Sequence, residues 1–386
     1  MGGVQHSTYL LTNKLKTSEN VVMKILLPGE GSFSQLCKES NIPYSFYKSS
    51  PYKSTSISFF NDRFRIANPI TILWNIIAIL FNSFSQKKYI NEDKPDLIVT
   101  KGLINHISGG IAGIQLKIPV IWHLQDLISQ RNFGLFYKVF NFLTNHIPDY
   151  IICDGKAIQS ILNSNSLEKS SVILSGLVTE EIKKEYKVGL KIRRELKIPQ
   201  KAYVIGNVSR ICPWKGQEIL LKAFIEYMKE ETNSYLLLVG SPLFSKNNYF
   251  KKLQKIIAEN HLQNRVIMPG YRTDLKAIYS AMDLFLYPSV EKDTSPLSLL
   301  SALSAGLPVA ISNIGSLEEI SNLCPALDVF PVKSTSEITK IMKKYEDVVL
   351  RIKNGRKNRE SAKLFFDISV HSEKMLSIFK KLVHLP

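Results

Sequence analysis

Short apolar runs rich in β-branched residues alternate along the chain with longer amphipathic stretches, the pattern that builds parallel sheets from successive strand–helix–strand units. In the first half the spacing predicts strands at Val21–Leu26, Asp96–Val99, Val120–His123, Tyr150–Cys153 and Val172–Leu174. Helices are expected between them, among others at Val4–Lys16, Ile107–Leu116 and Lys156–Asn163. The second half repeats the scheme, with strands at Tyr203–Val208, Tyr235–Val239, Val266–Met268, Leu284–Tyr287 and Val309–Ile311. Its helices are expected over Gln217–Met228, Phe250–Glu259 and Leu297–Ser304. A charged passage from Thr179 to Lys191 has no strand period and reads as a linker. The expected class is therefore α/β, with doubly wound domains over residues 1–182 and 183–364 and a helical tail over 365–386 packing back on the first.

Two places break the pattern. A doubly wound domain normally opens with a strand that leads into a glycine-rich turn and a helix whose free N–H groups hold anions. Here Gly2 and Gly3 open the first helix with no strand before them, so either the first strand is missing or the start lies upstream. Loss of a central strand leaves two open edges inside a sheet. The second place is the apolar run Ile70–Phe84, which contains Thr71, Asn75 and Asn82 and is short of the ~20 residues of a membrane span. It reads as a buried or interfacial helix, with Trp74 and the Ile72–Phe81 stripe facing the core; a peripheral membrane contact is the other reading.

At 386 residues the chain exceeds one hydrophobic core, and 45% hydrophobic with 22% charged residues excludes wholesale disorder. Cys37, Cys153, Cys212 and Cys324 stand far apart, in neither a metal-like pairing nor a disulfide framework, which suits a reducing cytoplasm. No secretory leader pattern opens the sequence. Lysine and arginine outnumber aspartate and glutamate 50 to 33, a net +17 that attracts phosphates, nucleic acid or anionic lipid. The surplus is lopsided: 17 basic and 13 acidic residues up to Ile182, 33 and 20 from Lys183 onward. Without an aromatic–basic motif or a recognition helix, nucleic acid is not an expected partner.

Two turns suggest chemistry. The strand Tyr203–Val208 runs into Ser209-Arg210-Ile211-Cys212-Pro213-Trp214-Lys215-Gly216, where two cations five residues apart can converge on one diphosphate. The strand Leu284–Tyr287 runs into a polar loop and a small-residue helix from Leu297, whose first N–H groups are available to phosphate. Each alone is also an ordinary surface turn. His123 sits at the carboxyl end of a strand, where open α/β sheets place ligands, with Asp126 after it as an orienting group or helix cap; Lys101, Asn105 and His106 follow another strand end.

The ordered succession Gly206-Asn207-Val208-Ser209-Arg210, Lys215-Gly216, Val239-Gly240-Ser241, Pro269-Gly270-Tyr271, Leu284 to Ser289 and Leu299 to Val309 resembles the donor domain of retaining glycosyltransferase family 4. Gly2-Gly3-Val4, Lys94 to Val99 and Pro119 to Asp126 extend the resemblance to nearly the whole chain. It implies the GT-B architecture, two Rossmann-like domains facing a cleft. It further implies a retaining transfer of sugar from a UDP- or GDP-linked donor to a glycan or lipid-linked acceptor, in cell-surface polysaccharide synthesis. Arg210 and Lys215 would neutralise the diphosphate without an obligatory metal or other cofactor, and Asp293 stands where the family has its first glutamate, against the donor sugar. His123 would contact the sugar; Gly2, Gly3, Gly270, Tyr271, Thr294, Ser295 and Leu297 would complete the donor contacts. Ser301 departs from the family, whose glutamate there grips the ribose hydroxyls, so a non-catalytic sugar-nucleotide or partner-binding homologue is the alternative. The resemblance places the enzyme in the cytoplasm, at the inner face of a membrane when the acceptor is lipid-linked, with peripheral contact to anionic lipid.

Overall fold

The computed structural model describes residues 2–17, 21–53, 56–59, 64–125, 135–230, 233–242, 248–291 and 293–383. The chain forms two compact units, one of Met1–Leu174 with His371–Pro386 and the other of Ser175–Val370.

The first unit holds β1 (Ile25–Leu27), β2 (Tyr44–Phe46), β3 (Ser56–Phe59), β4 (Phe64–Ala67), β5 (Ile98–Lys101), β6 (Val120–Leu124), β7 (Tyr150–Cys153) and β8 (Ser170–Val172). Strands β5 to β8 pair in parallel in chain order, and every residue of β6 is buried, as a strand covered on both faces requires. Strands β1 and β2 form a separate parallel pair and β3 and β4 an antiparallel hairpin. The sheet is thus in pieces: no strand precedes the Gly3–Leu15 helix among the described residues, and nothing there joins β1 to β5. All three residues of β1 and three of the four in β5 remain partly exposed, as open edges do. One face of the four-stranded sheet packs Trp122, Phe140 and Ile151; the other packs Ile121, Ile152 and Ile173 against Leu11, Leu15 and the tail residues Met375, Ile378 and Phe379.

The Pro69–Asp93 helix corrects an expectation. The Ile72–Phe81 stripe does not face the core: Ile72, Leu73, Trp74, Ile76, Ile77, Leu80 and Phe81 are all exposed. The buried face is instead Ala78, Asn82, Ser83, Gln86 and Ile90, laid on the Leu103–Leu116 helix. Gly109 of that partner lies at the contact, where a Cβ would come within 3.4 Å of Gln86 Oε1.

The second unit is a six-stranded parallel sheet of β9 (Tyr203–Val208), β10 (Ser234–Val239), β11 (Val266–Gly270), β12 (Leu284–Tyr287), β13 (Val309–Ser312) and β14 (Asp328–Phe330). Its order is β11-β10-β9-β12-β13-β14. Strands β9, β10, β12 and β13 are buried throughout, and Leu220, Phe224, Tyr227, Ile338 and Tyr345 seal one face. The boundary falls eight residues before the expected Lys183, because the connecting segment is tied into this unit. The Ser175 N–H donates to Ser295 Oγ at 2.8 Å, Leu177 bridges Asp367, and the Thr179 hydroxyl donates to the Asp367 carboxylate at 2.6 Å. The tail likewise divides at His371, within the Ile368–Val383 helix, and not at residue 365.

Candidate active site

Counting β9 as the first strand of its sheet, the order runs 3-2-1-4-5-6, so the topological switch point lies between β9 and β12. Open α/β sheets bind ligands at the carboxyl ends of strands at such a point, because the two flanking loops diverge to opposite faces and leave a crevice. The loops leaving β9 and β12 are the two singled out by sequence, and they are stitched to each other. Asn207 Nδ2 donates to the Leu286 carbonyl at 2.8 Å, and the Trp214 carbonyl accepts from the Val290 N–H at 2.9 Å and from the Ser289 hydroxyl at 3.0 Å. Gly216 makes the stitch possible: its φ is +72°, and a Cβ there would lie 1.9 Å from the Pro288 carbonyl oxygen.

This clamp brings Lys215 onto Asp293. The ammonium donates to the Asp293 carboxylate and to the Tyr287 hydroxyl, and Tyr287 donates to the same carboxylate oxygen. Asp293 is fixed from behind, its N–H donating to Ser316 Oγ at 2.9 Å. Burial pulls the Lys215 ammonium below its ordinary value while the Asp293 carboxylate works against that pull, and burial followed by Asp293 pushes the Tyr287 phenol up. Arg210 is exposed, and its guanidinium lies 5.5 Å and the Lys215 ammonium 4.3 Å from the Trp214 ring centroid. The two cations are close enough that Arg210 also lowers the Lys215 pKa. A buried ammonium with one carboxylate partner beside an exposed guanidinium is a concentrated positive site for two adjoining phosphates.

The expected donor contacts fall around this centre. The Leu297–Ala305 helix begins after Pro296, with no side-chain cap on its first N–H groups. Ser295 spends its hydroxyl accepting from the Ser175 N–H and is buried; Thr294 lies beside it in the same loop. Gly270, at φ +83° with nothing within 4 Å of a Cβ, and the exposed Tyr271 end β11, two strands from β9. That is about 10 Å at the usual strand spacing. Ser301 is buried in the second turn of the Leu297–Ala305 helix, and the Tyr279 phenol donates to the Ser298 carbonyl at 2.9 Å.

The first-unit residues stand differently. His123 is fully buried on β6, with Nε2 2.7 Å from Asp154 Oδ1 and its ring stacked on His371. Burial, then the Lys101 charge, holds its pKa below the ordinary value, so the ring is neutral in the interior rather than presented to a sugar. The cause is the covering of β6 on both faces, with Asp154 after β7 taking the nitrogen. His106 is also buried, Nδ1 2.7 Å from Thr100 Oγ1, while Asn105 is exposed; the Lys101 ammonium is buried without a hydrogen-bond partner, its pKa pulled down to about 8 by burial. Gly2 and Gly3 are exposed at the start of the first helix, where the Gly2 N–H donates to Gln5 Oε1 at 3.1 Å. Asp126 lies outside the described residues.

Sequence reasoning missed Tyr287, Trp214, Ser316 and Asp154. Tyr287 was legible as the last residue of a predicted strand and Trp214 as the aromatic between the two cations. Nothing local to Ser316 or Asp154 signals a partner 23 or 31 residues away.

Residues 190–324 match the sequence model of the family described as Glycosyl transferases group 1. The chain is 25% identical over 307 residues to the UDP-Gal:alpha-D-GlcNAc-diphosphoundecaprenol alpha-1,3-galactosyltransferase of Escherichia coli, covering 75% of this chain and 73% of that one. It is 29% identical over 238 residues to the alpha-monoglucosyldiacylglycerol synthase of Streptococcus pneumoniae, covering 55% and 51%. Among solved structures, Anabaena Alr3699/HepE in complex with UDP-glucose superposes with a TM-score of 0.82 at 21% identity, covering 99% of this chain and 96% of that one. The matched segment spans the β9 and β12 loops, and the two parallel α/β units have the GT-B fold of this solved neighbour.

Proposed function

We propose that this enzyme moves a sugar from a nucleoside diphosphate donor, UDP- or GDP-linked, to a glycan or lipid-linked acceptor in cell-surface polysaccharide synthesis, with retention of the anomeric configuration. The observation that carries the reading is the Arg210, Lys215 and Asp293 constellation at the switch point of the second sheet. The relatives support the substrate classes: one is named for a UDP-galactose donor and an undecaprenol-linked acceptor, the other for a diacylglycerol glycolipid.

Negative charge grows on the diphosphate oxygens as the sugar bond breaks. Lys215, held in place by Tyr287 and Asp293, and Arg210, held against Trp214, supply positive charge that needs no reorganisation at that moment. The first N–H groups of the Leu297–Ala305 helix add a dipole of the same sign. Asp293 supplies an acceptor for sugar hydroxyls, and attack by the acceptor on the face the diphosphate leaves gives retention. No residue of the site is assigned as a nucleophile or a metal ligand, and the described residues hold no cluster of three or more metal-ligating groups. The lipid-linked substrates named for these relatives support a reaction in the cytoplasm, at the inner face of a membrane when the acceptor is lipid-linked.

Ser301 favours a second reading, a homologue that binds a sugar nucleotide without turning it over, because serine cannot reproduce a carboxylate grip on two ribose hydroxyls. A thermal-shift screen of UDP- and GDP-sugars, followed by product analysis on membrane extracts, separates the two. Turnover of one donor is expected, with Arg210→Ala and Lys215→Ala each lowering kcat by about 100- to 1000-fold, the exposed Arg210→Ala keeping the melting curve. Near-normal rates in both variants would remove the diphosphate role, and donor binding without product would leave the second reading standing.

A further inference from the structure

Lys215 has two anions to serve. Its ammonium carries three N–H groups, and two are committed, one to the Asp293 carboxylate and one to the Tyr287 hydroxyl. Tyr287 in turn donates to Asp293, so both bonds that reach the carboxylate fall on one oxygen, Oδ2. The pair is sheltered, with the Lys215 side chain 9% and the Asp293 side chain 14% exposed. The N–H bond to Ser316 pins the Asp293 main chain, and the Trp214 and Tyr287 rings flank the ammonium. Water screens such a pair little, so this ammonium takes up a second anion only by loosening its hold on the first.

We propose that Asp293 competes with the diphosphate for Lys215 and thereby favours the sugar-bearing donor over the spent nucleoside diphosphate. The inference rests on the sugar-nucleotide reading of this site and adds a discrimination which that reading does not contain. While a sugar is attached, its hydroxyls can donate to Asp293 Oδ1, which takes no part in the bonds to Lys215 and Tyr287. A carboxylate supplied with hydroxyl donors draws less on the ammonium, and Lys215 is freer to bond the phosphates.

Transfer changes both sides of this balance. The sugar–oxygen bond breaks with its electron pair left on the β-phosphate, the acceptor oxygen takes the sugar, and the acceptor proton passes to solvent. A terminal phosphate has a second pKa of about 6, so near pH 7 the product carries more negative charge than the donor did. The charge appears on the phosphate that bore the sugar, just when Asp293 has lost the sugar hydroxyls. Two uncompensated anions then share one ammonium, and their repulsion loosens the product.

The test is calorimetric titration of the full chain with UDP and UDP-glucose, and with GDP and GDP-mannose. Asp293→Asn keeps the shape of the side chain and removes its charge. It should bind the nucleoside diphosphate about 10- to 100-fold more tightly than the wild type, the size of one charge-assisted bond, and gain several-fold less on the sugar-bearing form. In the Lys215→Ala background the same substitution should gain less than about 3-fold, since no ammonium is left to free. Ser316→Ala keeps every charge while unpinning the Asp293 main chain. It should shift diphosphate affinity in the same direction, and it reports on the same competition if Asp293→Asn melts too early to titrate. No tightening in either variant, an equal gain on the sugar-bearing form, or a full gain without Lys215 would each overturn the proposal. Wild-type binding of neither UDP nor GDP, or binding indifferent to Lys215→Ala, removes the diphosphate site and this proposal with it. Binding that Lys215→Ala weakens but neither Asp293→Asn nor Ser316→Ala tightens removes the proposal alone.

Discussion

At the scale of single residues, the candidate side chains pair differently than the sequence pattern suggests. Lys215 and Asp293, assigned separately to diphosphate and sugar, are each other's partners, joined through Tyr287. The first unit meanwhile buries three histidines that stay neutral: burial lowers the His106 pKa to about 3 and the His371 pKa to about 4, and lowers that of His123. An unfolded chain protonates these rings near 6.5, so it takes up protons before the folded one does. Stability is therefore complete above pH 6.5 and is lost as pH falls from there toward 4. Between pH 7 and pH 5, His371 alone should contribute a loss of about 2 kcal/mol. Urea melts at both values check this: His371→Gln, whose amide can still donate to the Leu174 carbonyl, should show a smaller acid loss than the wild type. Identical losses would refute the account. His123 was legible as a strand-end histidine, but its burial depends on β6 being covered on both faces, which one strand's letters do not reveal.

At the scale of elements, the strands of the second sheet were readable because Tyr203–Val208 and Leu284–Tyr287 are continuous apolar runs bounded by polar turns. Tyr44–Phe46 and Asp328–Phe330 were not, being three residues long and partly exposed, with too few positions to display a period. The Pro69–Asp93 helix was legible as a helix but its orientation was not, since an outward apolar stripe and an inward one have the same spacing. The stitch between the β9 and β12 loops yields a prediction of its own. Gly216→Ala must place a methyl 1.9 Å from the Pro288 oxygen in a backbone conformation alanine disfavours, and should cost more than about 2 kcal/mol and abolish turnover. Gly270→Ala, with a similar positive φ but open space around the added carbon, should cost only about 1 kcal/mol. Thermal melts compare the two directly, and equal shifts would show that the loops are not held together through this glycine.

At the scale of the whole molecule, the α/β class was legible from the alternation of strands and helices along the chain. The division of the first unit into three separate ladders, β1-β2, β3-β4 and β5-β6-β7-β8, is a matter of pairing that only the folded chain shows. That division has a dynamic consequence. Amide protons of Ile25–Leu27, on a short half-exposed ladder, open without disturbing β6 and should exchange with deuterated water orders of magnitude faster than those of Val120–Leu124. Matched protection in the two segments would mean that a common ladder reunites them. The unit thus has a firm half and a soft half, and heat or protease will find the seam at β1 and β2 first.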